Sequence, residues 1–155
     1  MTKETNIIKF YRSSEPYFEF SNFYRHECER DGELDKTPEH YFQCKKFEGT
    51  VWEHHVRNQF TPREAAREGR RKDLPLREDW DEVKEVVMFK GLCGKFKNQR
   101  LKTILLNTGD SILIENSPKD YYWGCGYDGT GKNRLGMLLM FLRDQLIERQ
   151  SNRFF

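Results

Sequence analysis

The chain has 155 residues, of which 36% are hydrophobic, 34% charged and 14% aromatic. That length suits a single domain with a real core, and the aromatic content, 12 Phe among it, excludes a disordered chain. A net charge of +2 is too small for a protein that coats nucleic acid non-specifically, so any basic patch must come from local clustering.

The four cysteines, Cys28, Cys44, Cys93 and Cys125, include no CxxC pair and no His/Cys set at zinc-ligand spacing. We expect isolated reduced thiols, no metal and an intracellular protein, cytoplasmic or nuclear. The opening MTKETNIIKF lacks the apolar run of a signal peptide, and no stretch approaches the ~18 apolar residues of a membrane span. A single domain, 1–155, is expected, with no repeat and no linker.

Residues 6–11 (NIIKFY) predict a short strand. In EPYFEFSNFY, residues 15–24, Phe18, Phe20 and Phe23 suit a core or a pocket wall. Ser21 and Asn22 mark a turn; Asn22 reads as an Asx-turn residue or as an amide facing a pocket. Asp31-Gly32 predicts a hairpin turn, and its charged flanks (HECER, ELDK) predict an exposed hairpin.

Thr37–Phe47, TPEHYFQCKKF, reads as a helix running to about residue 48. Thr37 is its N-cap and Pro38 its first helical residue. Glu39 falls in the first turn, near the positive end of the helix dipole. At about 100° per residue, Glu39, Gln43 and Lys46 share one face, while Tyr41, Cys44 and Phe47 form an apolar arc. The polar face is either a solvated Glu/Lys surface or a reactive face anchored by a core behind it.

Residues 51–59 predict another short helix, with the adjacent His54 and His55 pointing apart rather than forming a metal pair. Thr61-Pro62-Arg63-Glu64 is a capping box, opening a helix to about residue 72. Along it Arg63, Arg67 and Arg70 or Arg71 share a face, with Arg77 just beyond. Such guanidiniums suit phosphate; the alternative is a solvated face balanced by Glu64 and Glu68. Asp79 with Glu82 is expected to cap a long helix whose buried side carries Trp80, Val83, Val87, Met88 and Phe96. A helix over RLKTILLN and a strand over 111–115 follow.

Residues 116–136 are rich in glycine. Gly124-x-Gly126-x-x-Gly129 satisfies a dinucleotide fingerprint as a string but lacks the strand–turn–helix context. GYDGTGKN at 126–133 misses a P-loop by its last residue, an Asn where Ser or Thr should bind magnesium. Both are rejected in favour of a loop needing positive φ or close ligand approach. Asp120, Trp123, Asp128, Lys132 and Asn133 lie among the glycines, and Trp123 reads as a stacking platform or as core. A final helix from about Asn133, packing Leu135, Leu138, Leu139, Leu142 and Leu146, would aim free N–H groups at whatever the loop holds.

SNF at 21–23, PEHYFQCKKF at 38–47, AAREGR at 65–70, DYYWGCGYDGTGKNRLG at 120–136 and LMFLRDQL at 139–146 together resemble the NADAR (YbiA-like) family of N-glycosidases. The resemblance runs from about Ile7 to Leu146; only the charged 26–36 hairpin departs from it. It implies an α+β fold, a mainly helical single domain with a few short strands around a pocket. It also implies hydrolysis of the ribose C1–N bond in a ribosylated amino-heterocycle. The substrate would be ADP-ribosylated guanine in DNA or RNA, or a ribosylaminopyrimidine phosphate of riboflavin biosynthesis.

Carried onto this sequence, the resemblance makes Glu39, Lys46 and Asp120 catalytic. Asn22, Gln43, Trp123, Gly124, Gly126, Asp128, Gly131, Lys132 and Asn133 become substrate-binding; beside them Phe23 is expected to contact substrate, and Arg67 and Arg70 to hold phosphate. Lys46 is expected to form a Schiff base and Glu39 to shuttle protons, with Trp123 and the 124–133 loop in the same pocket. A rival scheme has Glu39 activating water. No cofactor, metal or membrane is expected, and the chain is expected to act as a monomer. Without a riboflavin-pathway domain in the sequence, the reading leans to ADP-ribosylated guanine. A module that binds ADP-ribose or NAD without turnover is the competing class.

Overall fold

The computed structural model of the chain describes residues 3–154. In chain order its elements are β1 (Ile7–Phe10), β2 (Cys28–Arg30), β3 (Glu33–Asp35), α1 (Pro38–Cys44), α2 (Val51–Arg57), α3 (Pro62–Gly69), α4 (Trp80–Lys95), α5 (Gln99–Leu106), β4 (Ile112–Glu115) and α6 (Arg134–Ser151). Short 3-10 turns cover Phe18–Phe20, Lys45–Phe47 and Asn152–Phe154. The fold is α+β and mainly helical, as expected. Contacts divide it into two compact units, Asn22–Phe96 and the described residues of Met1–Ser21 with Lys97–Phe155. No helix among the described residues is long and apolar enough to cross a membrane.

In the second of these units, β1 and β4 pair in parallel with Ile7 opposite Ile112 and Phe10 opposite Glu115. Parallel pairing requires a crossover, and here the whole 22–96 segment lies between the two strands in sequence. Leu113 of β4 and Leu135, Leu139 and Leu142 of α6 are buried, as are Leu101 and Leu105 of α5. Phe10 meets Phe20 edge-on at 5.8 Å. Arg143, buried within α6, donates through Nη1 to the Thr108 hydroxyl (2.9 Å) and the Ser111 carbonyl (2.8 Å). It thereby pins the corner between α5 and β4.

In the 22–96 unit, local chemistry sets most boundaries. The Thr37 hydroxyl accepts from the His40 N–H, capping α1 as expected. Thr61 and Glu64 form the reciprocal capping box of α3. That helix stops at Gly69, short of the expected residue 72. Asp79 does not cap α4 with its side chain; its carboxylate is taken by Arg77 at 2.6 and 3.0 Å. Cys44, Phe47, Val56, Ala65 and Leu74 make a core with Trp52 against it. Burial pushes the Cys44 thiol up to about 12, which keeps it inert.

The 26–36 hairpin corrects an expectation. Asp31 and Gly32 both take positive φ (54° and 80°), the requirement of a type I′ turn, and β2 and β3 pair antiparallel. Yet the hairpin is not simply exposed, because its inner face carries charge into the unit. Asp35 is fully buried. Its carboxylate accepts from Arg57 Nε at 3.0 Å and faces Arg30 Nη1 at 3.5 Å. Arg30 also donates to the Gly91 carbonyl at 2.7 Å and lies over the Tyr41 ring. Burial pushes the Asp35 carboxyl up, and the two guanidiniums pull it back. Removing one member of a buried ion pair leaves an uncompensated charge, so Asp35→Ala is expected to cost about 3–5 kcal/mol, read as a lower urea midpoint.

Candidate functional site

Glu39, Gln43 and Lys46 fall on one face, as the helical spacing predicts. Glu39 and Gln43 are buried. Gln43 Nε2 donates to Glu39 Oε1 at 2.7 Å, an i, i+4 bond along α1. The neighbouring His40, fully buried, sets the rotation of the helix. Its Nε2 donates to the Gln59 carbonyl and its Nδ1 meets the Thr37 hydroxyl at 2.8 Å. Asn22 enters from the preceding turn. Its carbonyl accepts the Glu39 N–H at 3.2 Å, and its amide donates to Met88 Sδ at 3.0 Å. The amide oxygens of Asn22 and Gln43 are buried without a hydrogen-bond donor.

Adjacent lysines are treated oppositely. Burial pulls the Lys45 ammonium down, but its bond to Glu48 (3.0 Å) and the charges of Glu53 and Glu48 outweigh this, so its pKa is raised. Among the described residues Lys46 makes no such bond to an acid. Its half-buried Nζ donates to the Gly69 carbonyl at 3.1 Å. It also lies 5.8 Å from both the Phe42 and Trp80 ring centres. Burial lowers its pKa to about 8; Glu39 opposes the shift and Arg70 adds to it. A lysine held this way supplies neutral amine near physiological pH.

Phe42 and Trp80 were missed as site residues. Phe42 was legible, since it precedes Lys46 by four residues on the same helical spiral. Trp80 comes from α4, and nothing local to its sequence places it there.

The arginine cluster is thinner than its spacing suggests. Arg71 is bound by Glu68 (2.9 Å) and Asp73 (2.7 Å), and Arg77 by Glu48 and Asp79. The Arg77 N–H donates to the Lys46 carbonyl at 3.0 Å, so Arg77 braces the lysine's backbone. Arg67 and Arg70 remain exposed, Arg67 with Glu68 at 3.7 Å. Phe23 is 39% exposed, so of its two expected places, core or pocket wall, it does not take the core.

The glycine-rich residues form their own cluster in the other unit. Asp120 Oδ1 accepts from the N–H groups of Tyr122 (3.0 Å) and Trp123 (2.8 Å), fixing the half-buried Trp123, whose ring meets Tyr122 edge-on. Two backbone runs then lie side by side. Lys132, Asn133, Arg134 and Leu135 donate to the carbonyls of Tyr121, Gly124, Tyr122 and Trp123. A β-carbon on Gly131 would overlap the Gly124 carbonyl, and one on Gly126 the Tyr121 ring. These glycines therefore serve close backbone packing. Asp128 caps its own turn through the Thr130 N–H and hydroxyl. Lys132 is exposed, with Nζ 5.4 Å from the Tyr122 ring centre.

Two expectations change here. The first N–H groups of α6 do not point freely at a ligand, because those of Arg134 and Leu135 are taken by Tyr122 and Trp123. The Asn133 side chain, from a left-handed residue (φ 50°), accepts from Glu115 N–H (3.0 Å) and donates to the Leu113 carbonyl (2.9 Å). Its amide is spent on holding α6 to β4.

Residues 9–147 match the NADAR domain. The chain is 45% identical over 144 residues to N-glycosidase YbiA of Escherichia coli strain K12, covering 92% of this chain and 90% of that one. The NMR structure of the E. coli protein YbiA matches with a TM-score of 0.88 at 43% identity, over 96% of this chain and 89% of that chain. A chloroplastic riboflavin biosynthesis protein of Zea mays, PYRR, is 39% identical over 162 residues, spanning 93% of this chain and 26% of the relative.

Proposed function

Because this chain belongs to the NADAR domain family and is a hydrolase of N-glycosyl bonds, we propose that its target is the ribose C1–N bond of ADP-ribosylated guanine in nucleic acid. The observation that carries this reading is the Lys46 amine. It is half-buried, held near pKa 8, and set on the face that carries Glu39 and Gln43.

The chemistry follows from the glycosylamine. Its sugar ring opens to an imine between C1 and the exocyclic nitrogen. Neutral Lys46 adds to C1, and the Glu39 carboxylate passes the two protons of the added amine in turn to the leaving nitrogen as the C1–N bond breaks. This leaves a Schiff base between Lys46 and the sugar. The Glu39 carboxylate then takes a proton from water, which adds to C1, and hands that proton to the Schiff-base nitrogen. Collapse releases the sugar aldehyde and regenerates the amine. The scheme requires no metal or cofactor.

Asn22 and Gln43 orient the sugar: each has a buried oxygen without a donor, and ribose hydroxyls supply donors of the required kind. Arg67 and Arg70 supply charge for a pyrophosphate. Phe23, exposed, is an apolar contact for the substrate.

A second reading is the same chemistry on a ribosylaminopyrimidine phosphate. The maize relative, a riboflavin biosynthesis protein by name, favours it, and a single phosphate needs fewer cations. One assay separates the two. The protein is given an oligonucleotide bearing ADP-ribosylated guanine and, in parallel, a ribosylaminopyrimidine phosphate. Free ADP-ribose with restored oligonucleotide is the expected result. Released pyrimidine alone selects the second reading, and no product from either overturns both.

A further inference from the structure

We propose that Gly69 is a positioning residue: its missing side chain and its carbonyl together hold Gln43 and Lys46 in working geometry. The proposal rests on the reading of Lys46 and Glu39 as the reacting groups.

Gly69 is the last residue of α3. Its backbone does not call for glycine, since it is helical and its φ is not among the positive ones. Alanine is the better helix former at such a place. A glycine that defies local preference points to a constraint from elsewhere in the fold.

That constraint is steric. A β-carbon on Gly69 would overlap the Gln43 Oε1 atom and lie 2.8 Å from Gln43 Cβ and 2.9 Å from Cδ. No rotamer change relieves the contact with Cβ, so α1 and α3 would have to separate. Gln43 is the residue that donates to Glu39, so displacing it moves the hydrogen bond on the carboxylate. The Gly69 carbonyl itself accepts from Lys46 Nζ at 3.1 Å. A shift of α3 therefore moves the acceptor that aims the amine. One residue thus sets the spacing of both reacting groups, and neither effect requires Gly69 to touch substrate.

The test compares wild type with Gly69→Ala and with Val56→Ala, a change in the buried core of the same unit. All are assayed well below their melting temperatures. Gly69→Ala is expected to lower kcat at least tenfold while KM stays within threefold; Val56→Ala is expected to keep kcat within twofold. Competitive labelling with acetic anhydride, read by mass spectrometry, follows Lys46 without any substrate. Its midpoint, about 8 in wild type, should move by more than about half a pH unit in Gly69→Ala. A wild-type Lys46 midpoint retained in Gly69→Ala, with kcat within twofold where turnover is measurable, overturns the proposal.

Should Gly69→Ala fail to fold, the wild-type protein still decides. The Gly69 carbonyl 13C shift should titrate with the Lys46 midpoint and lose that titration in Lys46→Met; a flat carbonyl shift overturns the proposal. If wild type turns over neither substrate, the catalytic reading falls, while the labelling and carbonyl measurements still judge the positioning claim.

Discussion

Lys46→Ala is expected to reduce kcat by at least ~10³, because it removes the nucleophile of a covalent route and leaves only direct attack by water. The wild-type rate should rise with pH through a single midpoint near 8, since the reacting species is the neutral amine. The amine's folded pKa is about 8 against an ordinary lysine value of 10.5. About a tenth of it is neutral at pH 7 and about nine tenths at pH 9. The same shift carries a sign for stability. Between about 8 and 10.5 the unfolded chain holds a proton that the folded chain has lost, so folding stability rises with pH across that window. Below pH 8 both states are protonated and the cost of burying the ammonium is constant. Lys46→Met should therefore flatten the rise, measured as urea midpoints between pH 7 and 11.

Glu39→Gln is expected to lower kcat by ~10²–10⁴, the range of general acid–base catalysis. The substitution keeps the volume and an oxygen for the Gln43 amide, but it cannot carry a proton. Glu39 raises the Lys46 pKa, so its neutralisation should move the pH midpoint below 8. The variant would thus hold more neutral amine and still react more slowly. That combination separates proton transfer from simple electrostatic support of the lysine. Affinity for substrate should stay within a few-fold, as binding falls to other groups.

Much of the 22–96 unit was legible because local rules decide it. The Thr37 cap, Pro38 at the first helical position and the 3.6-residue period fix which way Glu39, Gln43 and Lys46 face. The Thr61/Glu64 capping box and the Asp31-Gly32 turn are equally local. What escaped depends on partners distant in sequence. The hairpin's charges suggested exposure, but Asp35 finds Arg57 across 22 residues. Arg71 fits the helical pattern of a phosphate site and Arg77 lies just beyond it, yet Glu68, Asp73, Glu48 and Asp79 neutralise them. Trp80 joins Lys46 from another helix.

The glycine-rich segment shows the same division. Its need for unusual backbone was visible in composition, with positive φ at Gly126 and Gly129. Which carbonyls would take the N–H groups of Arg134 and Leu135 was not, because the answer lies in the pairing of residues 121–124 with 132–135. Asn133 likewise gave no hint that both ends of its amide bind β4.

The central claim is that Lys46 bonds covalently to the sugar, and reductive trapping tests it most directly. Wild-type protein is incubated with the oligonucleotide bearing ADP-ribosylated guanine, then treated with borohydride and digested for mass spectrometry. A secondary-amine adduct of the sugar on Lys46, absent in Lys46→Ala, is the predicted result. Turnover by wild type with no adduct, or an adduct that persists unchanged in Lys46→Ala, would contradict the claim and leave Glu39-activated water as the route.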